Sequence, residues 1–113
     1  MVNEEAKLQA RCFLWHWNEY PEDRRMLFHI DNNSYNRIIG AQKKALGVVR
    51  GPSDLCYVID AGHVVWLECK FGDGVQSEEQ KEWERKVTQR GHIYILFRTF
   101  EEFQKIIRRI KNV

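Results

Sequence analysis

A chain of 113 residues has room for one modest hydrophobic core, so its length predicts a single domain that spans residues 1–113. Hydrophobic residues make up 43% of the chain and charged residues 30%, which is ordinary for a soluble globular protein, and no run is apolar enough to cross a bilayer. The net charge of +2 neither predicts nor excludes nucleic acid as a partner, so that question depends on local charge.

Cys12, Cys56 and Cys69 form an odd set without metal-ligand spacing, and two of them lie in predicted strands. We expect them to be reduced, buried thiols in a reducing compartment. Because the sequence also lacks a secretory signal pattern, it predicts a cytoplasmic protein that does not bind membranes. No Ser/His/Asp or Cys/His set has catalytic spacing, and the Gly-x-x-x-x-Gly-Lys pattern of a phosphate-binding loop is absent.

The first predicted element is a helix over residues 3–17, with Asn3 as its N-cap. Its expected buried face has helical spacing and consists of Leu8, Cys12 and Trp15. Glu5 and Gln9 are one turn apart and point the same way. From the residues alone, Glu5 either complements the helix dipole or serves as a carboxylate of a functional site, with Glu4 as the alternative carboxylate.

Large apolar side chains are concentrated early in the chain, around a short strand predicted over residues 26–30. They are Trp15, Trp17, Tyr20, Met26 and Phe28. Either they fill the core between the first helix and the sheet, or some of them form the interface of a homodimer.

Residues 36–46 predict a second helix, which Gly47 is placed to end. Lys43 and Lys44 lie on its polar side. This basic side is either solvated or placed to contact a phosphate backbone. The apolar positions that indicate this helix are Ile38, Ile39, Ala41, Ala45 and Leu46.

Two apolar runs, residues 55–59 and 64–67, flank a turn and predict a β-hairpin. The length of the loop decides which residues face each other across the two strands. A two-residue loop would place Asp54 opposite Cys69, whereas a three-residue loop places it opposite Glu68.

The three-residue loop, with Gly62 in the left-handed conformation, brings Asp54 and Glu68 onto one face of the hairpin. The Cβ atoms of directly opposed residues lie about 4.5–5.5 Å apart, and like charges this close persist only if a positive group lies between them. A divalent metal ion is the natural candidate, and Lys70 on the same face adds a second positive charge. The hairpin therefore predicts a metal site.

After Lys70, a glycine-rich loop leads to a helix predicted over residues 77–89. Ser77 at the N-cap and Gln80 three residues later form the pattern of a capping box. Gln80 also faces the sheet, so it has both a structural and a functional interpretation. Only one of the two geometries is expected to hold at a time.

Residues 93–97 predict a central, buried strand that runs parallel to the Glu68 strand through a right-handed crossover. Thr99 is placed to N-cap a last helix, whose apolar positions add a further layer to the core. Together the elements predict an α/β fold with a mixed four-stranded sheet and helices on both faces.

The order of the polar residues resembles that of a known group of nucleases. Asp54, followed after a gap by Glu68-x-Lys70 at the end of an apolar strand, is similar to the PD-(D/E)xK superfamily. The segment Gly47-Val48-x-x-Gly51-Pro52-x-Asp54 resembles its VRR-NUC branch. Further matches are Glu5-x-x-x-Gln9, His29-x-x-Asn32 and Gln80. The resemblance covers nearly the whole chain and implies a restriction-endonuclease-like core.

A stand-alone VRR-NUC domain is a metal-dependent endonuclease, so the resemblance implies hydrolysis of DNA, with branched or four-way-junction DNA as the target. The implied cofactor is Mg²⁺, which Mn²⁺ can replace, because hard cations select oxygen ligands. The implied ligands are Asp54, Glu68, the carbonyl of Cys69 and Glu5. The implied catalytic residues are Asp54, Glu68, Lys70, Gln80 and Glu5.

DNA is the implied partner, and the expected nucleic-acid contacts are Lys43, Lys44, Arg50, Gln9 and Asn32. Stand-alone relatives that the chain resembles act as dimers, which favours a homodimer. The alternative function is a non-catalytic nucleic-acid-binding domain that has kept the nuclease fold. Clustered carboxylates near phosphate argue against it, because they would weaken the binding of a polyanion.

Overall fold

The computed structural model describes residues 3–31 and 36–112. The helices in these residues are α1 (Glu4–Glu19), α2 (Arg37–Ala45), α3 (Glu78–Gln89) and α4 (Phe100–Lys111). The strands are β1 (Leu27–His29), β2 (Leu55–Val58), β3 (Val64–Cys69) and β4 (Ile93–Phe97). A turn of 3₁₀ helix, Pro21–Asp23, links α1 to β1.

The strands in the described residues form one four-stranded sheet in the order β1-β2-β3-β4. β1, β2 and β3 are antiparallel neighbours, and β4 runs parallel to β3. Because α3 connects β3 to β4, the two parallel strands are joined by a helical crossover, as parallel pairing requires. The predicted α/β class, mixed four-stranded sheet and flanking helices are confirmed.

β4 lies at the edge of the sheet, so the prediction of a central strand is wrong. Among the described residues no strand pairs with its far side, and Ile93 keeps 43% of its surface exposed. The apolar sequence of β4 has another cause, because helices cover both faces of the strand. Tyr94 contacts Trp83 of α3 on one face, and Phe97 packs against Phe103 of α4 on the other.

One face of the sheet packs against α1 and α4 and forms the hydrophobic core. Each fully buried side chain of this kind contributes about 1.5–3 kcal/mol of transfer free energy. The buried members of this core are Cys12, Leu27, Leu55, Tyr57, Val65, Leu67, Cys69, Phe97, Phe103 and Ile107. All three cysteines of the chain are free and buried, as the sequence predicts.

Four of the five large apolar residues near the start of the chain divide into two groups, and the fifth, Trp17, is partly buried. Trp15 and Tyr20 pack within the chain, since Trp15 lies edge-on to Tyr20 and to Phe100 of α4. Met26 and Phe28, in and beside the edge strand β1, remain exposed. Filling of the core therefore accounts for part of the set and leaves an exposed apolar pair.

α2 forms where the sequence predicts a second helix, with Asn36 as its N-cap. None of its residues, all of which are described, is buried. Ile38 is 72% exposed, and Leu46, directly after the helix, is 85% exposed. No helix within residues 3–31 and 36–112 has the length and apolar character needed to cross a membrane.

Gly51 lies in the segment that leads into β2, where this segment passes close to α3. Its φ of +112° is in the left-handed region. An added Cβ would lie 2.8 Å from the carbonyl oxygen of Glu79 and 3.4 Å from Cβ of Trp83. Because the nearest atom belongs to the backbone of α3, it cannot rotate away. Glycine therefore allows the segment that carries Asp54 to pack directly on α3.

We expect Gly51→Ala to destabilise the protein more than Gly47→Ala. Both positions have a positive φ, which costs an alanine about 1–2 kcal/mol. At Gly47 no atom lies within 4 Å of an added Cβ, whereas at Gly51 overpacking should add about 1–3 kcal/mol. Urea denaturation measures the difference, and equal stabilities of the two variants would contradict the close approach.

Candidate functional site

The β2–β3 hairpin brings Asp54 and Glu68 to one end of the sheet. Leu55 pairs with Leu67, and one further step in this register places Asp54 opposite Glu68. This is the register of a three-residue loop, so that prediction is confirmed. The loop differs from the expectation in one respect, because Ala61 has a positive φ as well as Gly62.

The carboxylate of Asp54 takes over a hydrogen bond that β2 would otherwise make. Amides along β3 point alternately to β4 and to β2, and the amide of Lys70 donates to the carbonyl of Phe97 in β4. The amide of Cys69 therefore points towards β2, where it donates to Oδ2 of Asp54 at 2.8 Å. The carbonyl of Cys69 points the same way as its amide, towards Asp54.

Glu68 is the most buried acidic side chain of the site, with 0% of its surface exposed. Its Oε2 accepts a hydrogen bond from Nε2 of Gln80 at 3.1 Å and lies 3.7 Å from Nζ of Lys70, which is itself only 8% exposed. Burial, reinforced by the charge of Asp54, raises the pKa of Glu68 to about 9, and Lys70 opposes the rise. Burial therefore favours the protonated form of Glu68 when no cation is bound.

Glu5, in the first turn of α1, completes the acidic group, and the structure favours it over Glu4. Its pKa is raised overall, because burial and the charge of Asp54 outweigh two opposing effects. These are the charge of Lys70 and a hydrogen bond from the backbone of Phe71, both of which lower the pKa. These influences place Glu5 beside the hairpin. Glu4 instead lies in solvent and pairs with Lys7 at 3.3 Å.

Gln80 caps α3 and contacts Glu68 at the same time. Its Oε1 accepts a hydrogen bond from the amide of Ser77 at 2.8 Å, which completes the capping box of α3. Its Nε2 donates to Glu68 at the same time. The expectation that only one geometry holds at a time is wrong, because the two ends of the amide serve two partners.

Gln9 and His29 connect α1 to the strand end that carries Asp54. Nε2 of Gln9 lies 2.9 Å from Nδ1 of His29, and the same Nδ1 lies 2.8 Å from the carbonyl oxygen of Asp54. Ile30 also donates its amide to this carbonyl, at 2.8 Å. Two groups of the β1 segment therefore hold the main chain of Asp54. The matching Asn32 lies outside the described residues.

The basic residues proposed to contact DNA differ in their surroundings. Nζ of Lys43 lies 2.6 Å from Oδ2 of Asp31, so part of its charge is already balanced. Lys44 and Arg50 are exposed on the surface. In the described part of the chain, no recorded ion pair connects these three side chains to Asp54 or Glu68.

Sequence reasoning missed Tyr94, which approaches the same acidic group, and Gln76, which contacts Tyr94. The hydroxyl of Tyr94 lies 3.5 Å from Oε1 of Glu68, and Nε2 of Gln76 donates to that hydroxyl at 2.9 Å. The register that pairs Glu68 with Leu96 places Tyr94 nearby on the same face. This parallel register has no local signal in the sequence.

The chemistry of the oxygen donors fits a hard divalent cation. Asp54, Glu68 and Glu5 supply carboxylates, and Cys69 supplies a carbonyl directed towards Asp54. The pKa of Glu68 is raised mainly by burial and further by the charge of Asp54, and a bound cation would oppose both effects. Within the described residues, no three His, Cys, Asp or Glu side chains already stand close enough to hold an ion.

A search of solved structures finds a match along nearly the whole chain. A structure described as "VRR_NUC domain protein" superimposes with a TM-score of 0.73 and covers 97% of this chain and 89% of that one, at 19% sequence identity. The chain has the fold of that protein. No protein-family model and no curated protein matches the sequence, so the VRR_NUC likeness concerns the fold.

We expect Glu68→Gln to stabilise the metal-free protein at high pH. Folding raises the Glu68 pKa from 4.5 to about 9, so the folded protein holds a proton that the unfolded chain releases. The free energy of unfolding therefore falls as pH rises through this window. Glutamine has no proton to take up and keeps an acceptor oxygen for Gln80. The variant should exceed the wild type by about 1–3 kcal/mol at pH 8 and match it near pH 4.

Thermal melts in EDTA at the two pH values measure this difference. Glu4→Gln is the matched control, because Glu4 is exposed and should show no such dependence on pH. A Glu68→Gln protein that is no more stable than the wild type at pH 8 would show that Glu68 is not held protonated.

Proposed function

We propose that the protein is a metal-dependent endonuclease that hydrolyses phosphodiester bonds in DNA. The observation that carries this proposal is the facing of Asp54 and the buried Glu68 beside Lys70, with the Glu68 pKa raised to about 9. Strongly shifted carboxylates next to a lysine are expected where a cation and a phosphate bind. The fold shared with a VRR_NUC domain protein supports the same class of reaction.

Mg²⁺ is the proposed cofactor, and Mn²⁺ should replace it, because both prefer carboxylate and carbonyl oxygens. The residues that would hold it are Asp54, Glu68, the carbonyl of Cys69 and Glu5, the last directly or through water. When bound, such an ion supplies Lewis acidity towards the scissile phosphate and lowers the pKa of a water molecule.

Lys70 and Gln80 have separate parts in this proposal. The ammonium of Lys70 is a compact charge 3.7 Å from Glu68, placed to orient the attacking water or to stabilise charge that develops on the phosphate. Gln80 fixes one oxygen of Glu68 through its amide hydrogen bond, so it acts as a positioning residue. Glu68 must lose its proton before it can bind a cation, so hydrolysis should rise with pH.

DNA is the proposed partner, with branched or four-way-junction DNA as the target. Lys44 and Arg50 offer exposed positive charge for the backbone, and Lys43 can exchange Asp31 for a phosphate. Gln9 lies beside Asp54 through its contact with His29. The free, buried cysteines suit a reducing compartment such as the cytoplasm, which is the proposed location.

Asp54→Asn should abolish cleavage and leave the fold intact. The amide keeps an acceptor oxygen for the Cys69 amide but loses the charge that would hold a cation, so hydrolysis of a labelled four-way junction in Mg²⁺ should fall at least about 100-fold. DNA binding in EDTA should survive or strengthen, because a negative charge has been removed.

Asp60→Asn is the matched control, because Asp60 makes the same substitution possible at an exposed position of the hairpin turn. It should cleave like the wild type. Binding of junctions without hydrolysis by the wild type, with or without Mg²⁺, would instead indicate a non-catalytic DNA-binding domain. Full activity of Asp54→Asn would rule out the proposed site.

A homodimer is the proposed assembly, since paired cuts across a junction need two sites related by a twofold axis. The exposed Met26 and Phe28 at the β1 edge are the proposed contact.

Light scattering should give a mass of about twice the 13.6 kDa of one chain, and Phe28→Lys should reduce this mass to that of one chain. Leu46→Lys is the control, because Leu46 is an exposed apolar residue directly after α2 and outside the proposed contact, and it should leave the dimer intact. A wild-type mass of one chain at micromolar concentration would refute the dimer.

A further inference from the structure

A groove of about 380 Å³ opens beside Asp54, between α1 and the ends of β1 and β2. It adjoins the acidic group, since both Glu5 and Asp54 line it. Small-molecule sites in proteins have volumes of about 300–1,000 Å³, so the groove suits one small, flat group. Its lining is formed by Asn3, Glu5, Ala6, Gln9, Ala10, Phe13, His29, Asp54 and Leu55.

Two alanines of α1 leave the space for this groove. Ala6 and Ala10 are one helical turn apart, so their side chains lie one above the other on the same face. Both are exposed, although residues with longer side chains would form the helix equally well. A larger residue at either position would extend into the groove.

Apart from the proposed cation site, the lining has no charge that would hold a phosphate. Of the described residues that line the groove, none is a lysine or an arginine, and the two carboxylates are the proposed cation ligands Glu5 and Asp54. A second phosphate would find no positive side chain there, in contrast to the surface that carries Lys44 and Arg50. The groove requires an uncharged group instead.

The remaining lining residues match the chemistry of a nucleobase. Phe13 offers apolar contact, and an aromatic ring can pack on the face of a base. Gln9 and His29, which contact each other at 2.9 Å, each carry a second polar atom with which they can meet the edge of a base. A base inside a duplex cannot reach such a groove, because it must first leave the stack.

We infer that this groove receives one unpaired base of the DNA strand, next to the phosphate at the acidic group. The inference rests on the proposed nuclease function and specifies its substrate, which is DNA with at least one unstacked nucleotide at the cut. Fully paired duplex then binds through its backbone alone and leaves the groove empty.

Ala10→Leu tests the inference, with Ala6→Leu as a second variant that fills the same space. Ala45→Leu on α2 is the matched control, because it makes the same substitution at an exposed helical position outside the groove. Leucine has nearly the helix propensity of alanine, so all three variants should melt close to the wild type.

Binding is measured in EDTA by fluorescence anisotropy on two labelled DNAs, a paired duplex and the same duplex with a three-nucleotide gap. 2-Aminopurine at the middle unpaired position reports whether that base enters the protein. The wild type should prefer the gapped DNA and change the 2-aminopurine emission. Both groove variants should lose the emission change and bind gapped DNA about tenfold more weakly, while duplex binding and the Ala45→Leu control stay unchanged.

No preference of the wild type for gapped DNA would overturn the inference, as would groove variants that keep the preference or that lose affinity for both DNAs equally. Cleavage of a four-way junction in Mg²⁺ by the wild type is read separately. Cleavage without an emission change leaves the nuclease proposal standing and removes the groove inference. An emission change without cleavage supports a base-binding groove and removes the nuclease proposal.

Discussion

Repulsion between Asp54 and Glu68 is the interaction on which this end of the sheet depends. The two side chains face each other across the open end of the hairpin, and Glu68 is completely buried. Repulsion and burial both raise the free energy of the charged pair, and the surrounding groups offset this in different ways. The Cys69 amide donates to one oxygen of Asp54, whereas Gln80 and Lys70 approach Glu68. These groups do not fully balance the negative charge, and protonation of Glu68 removes the rest. The acidic pair is therefore already arranged to bind a positive ion.

Helix α3 braces both strands that carry the acidic pair. Its first turn holds Glu68 through Gln80, and the backbone of Glu79 in the same turn supports Gly51 on the way to Asp54. Further along, Trp83 packs edge-on against Trp66 on β3 with ring centroids 5.0 Å apart. The positions of the two carboxylates therefore both depend on the position of the first turn of α3.

Local sequence patterns were sufficient where short-range chemistry decides the structure. The loop of the hairpin sets its register, and the alternation of strand residues then places Lys70 beside Glu68. The position of β4 at the edge could not be predicted, because an apolar strand looks the same whether strands flank it or helices cover it. The exposure of α2 and the approach of Tyr94 to Glu68 likewise depend on which surfaces other elements leave free, which no local pattern records.

The contact at Gly51 has a consequence for how the sequence can diverge. The atom that it meets belongs to the main chain of Glu79, so the side chain at position 79 can vary without affecting the contact. For the same reason, no substitution at position 79 makes room for a larger residue at position 51. Accommodation would require displacing the backbone of α3, and Gln80 with it. Position 51 should therefore stay glycine while its partner drifts, a dependence that pairwise covariation between the two positions would not reveal.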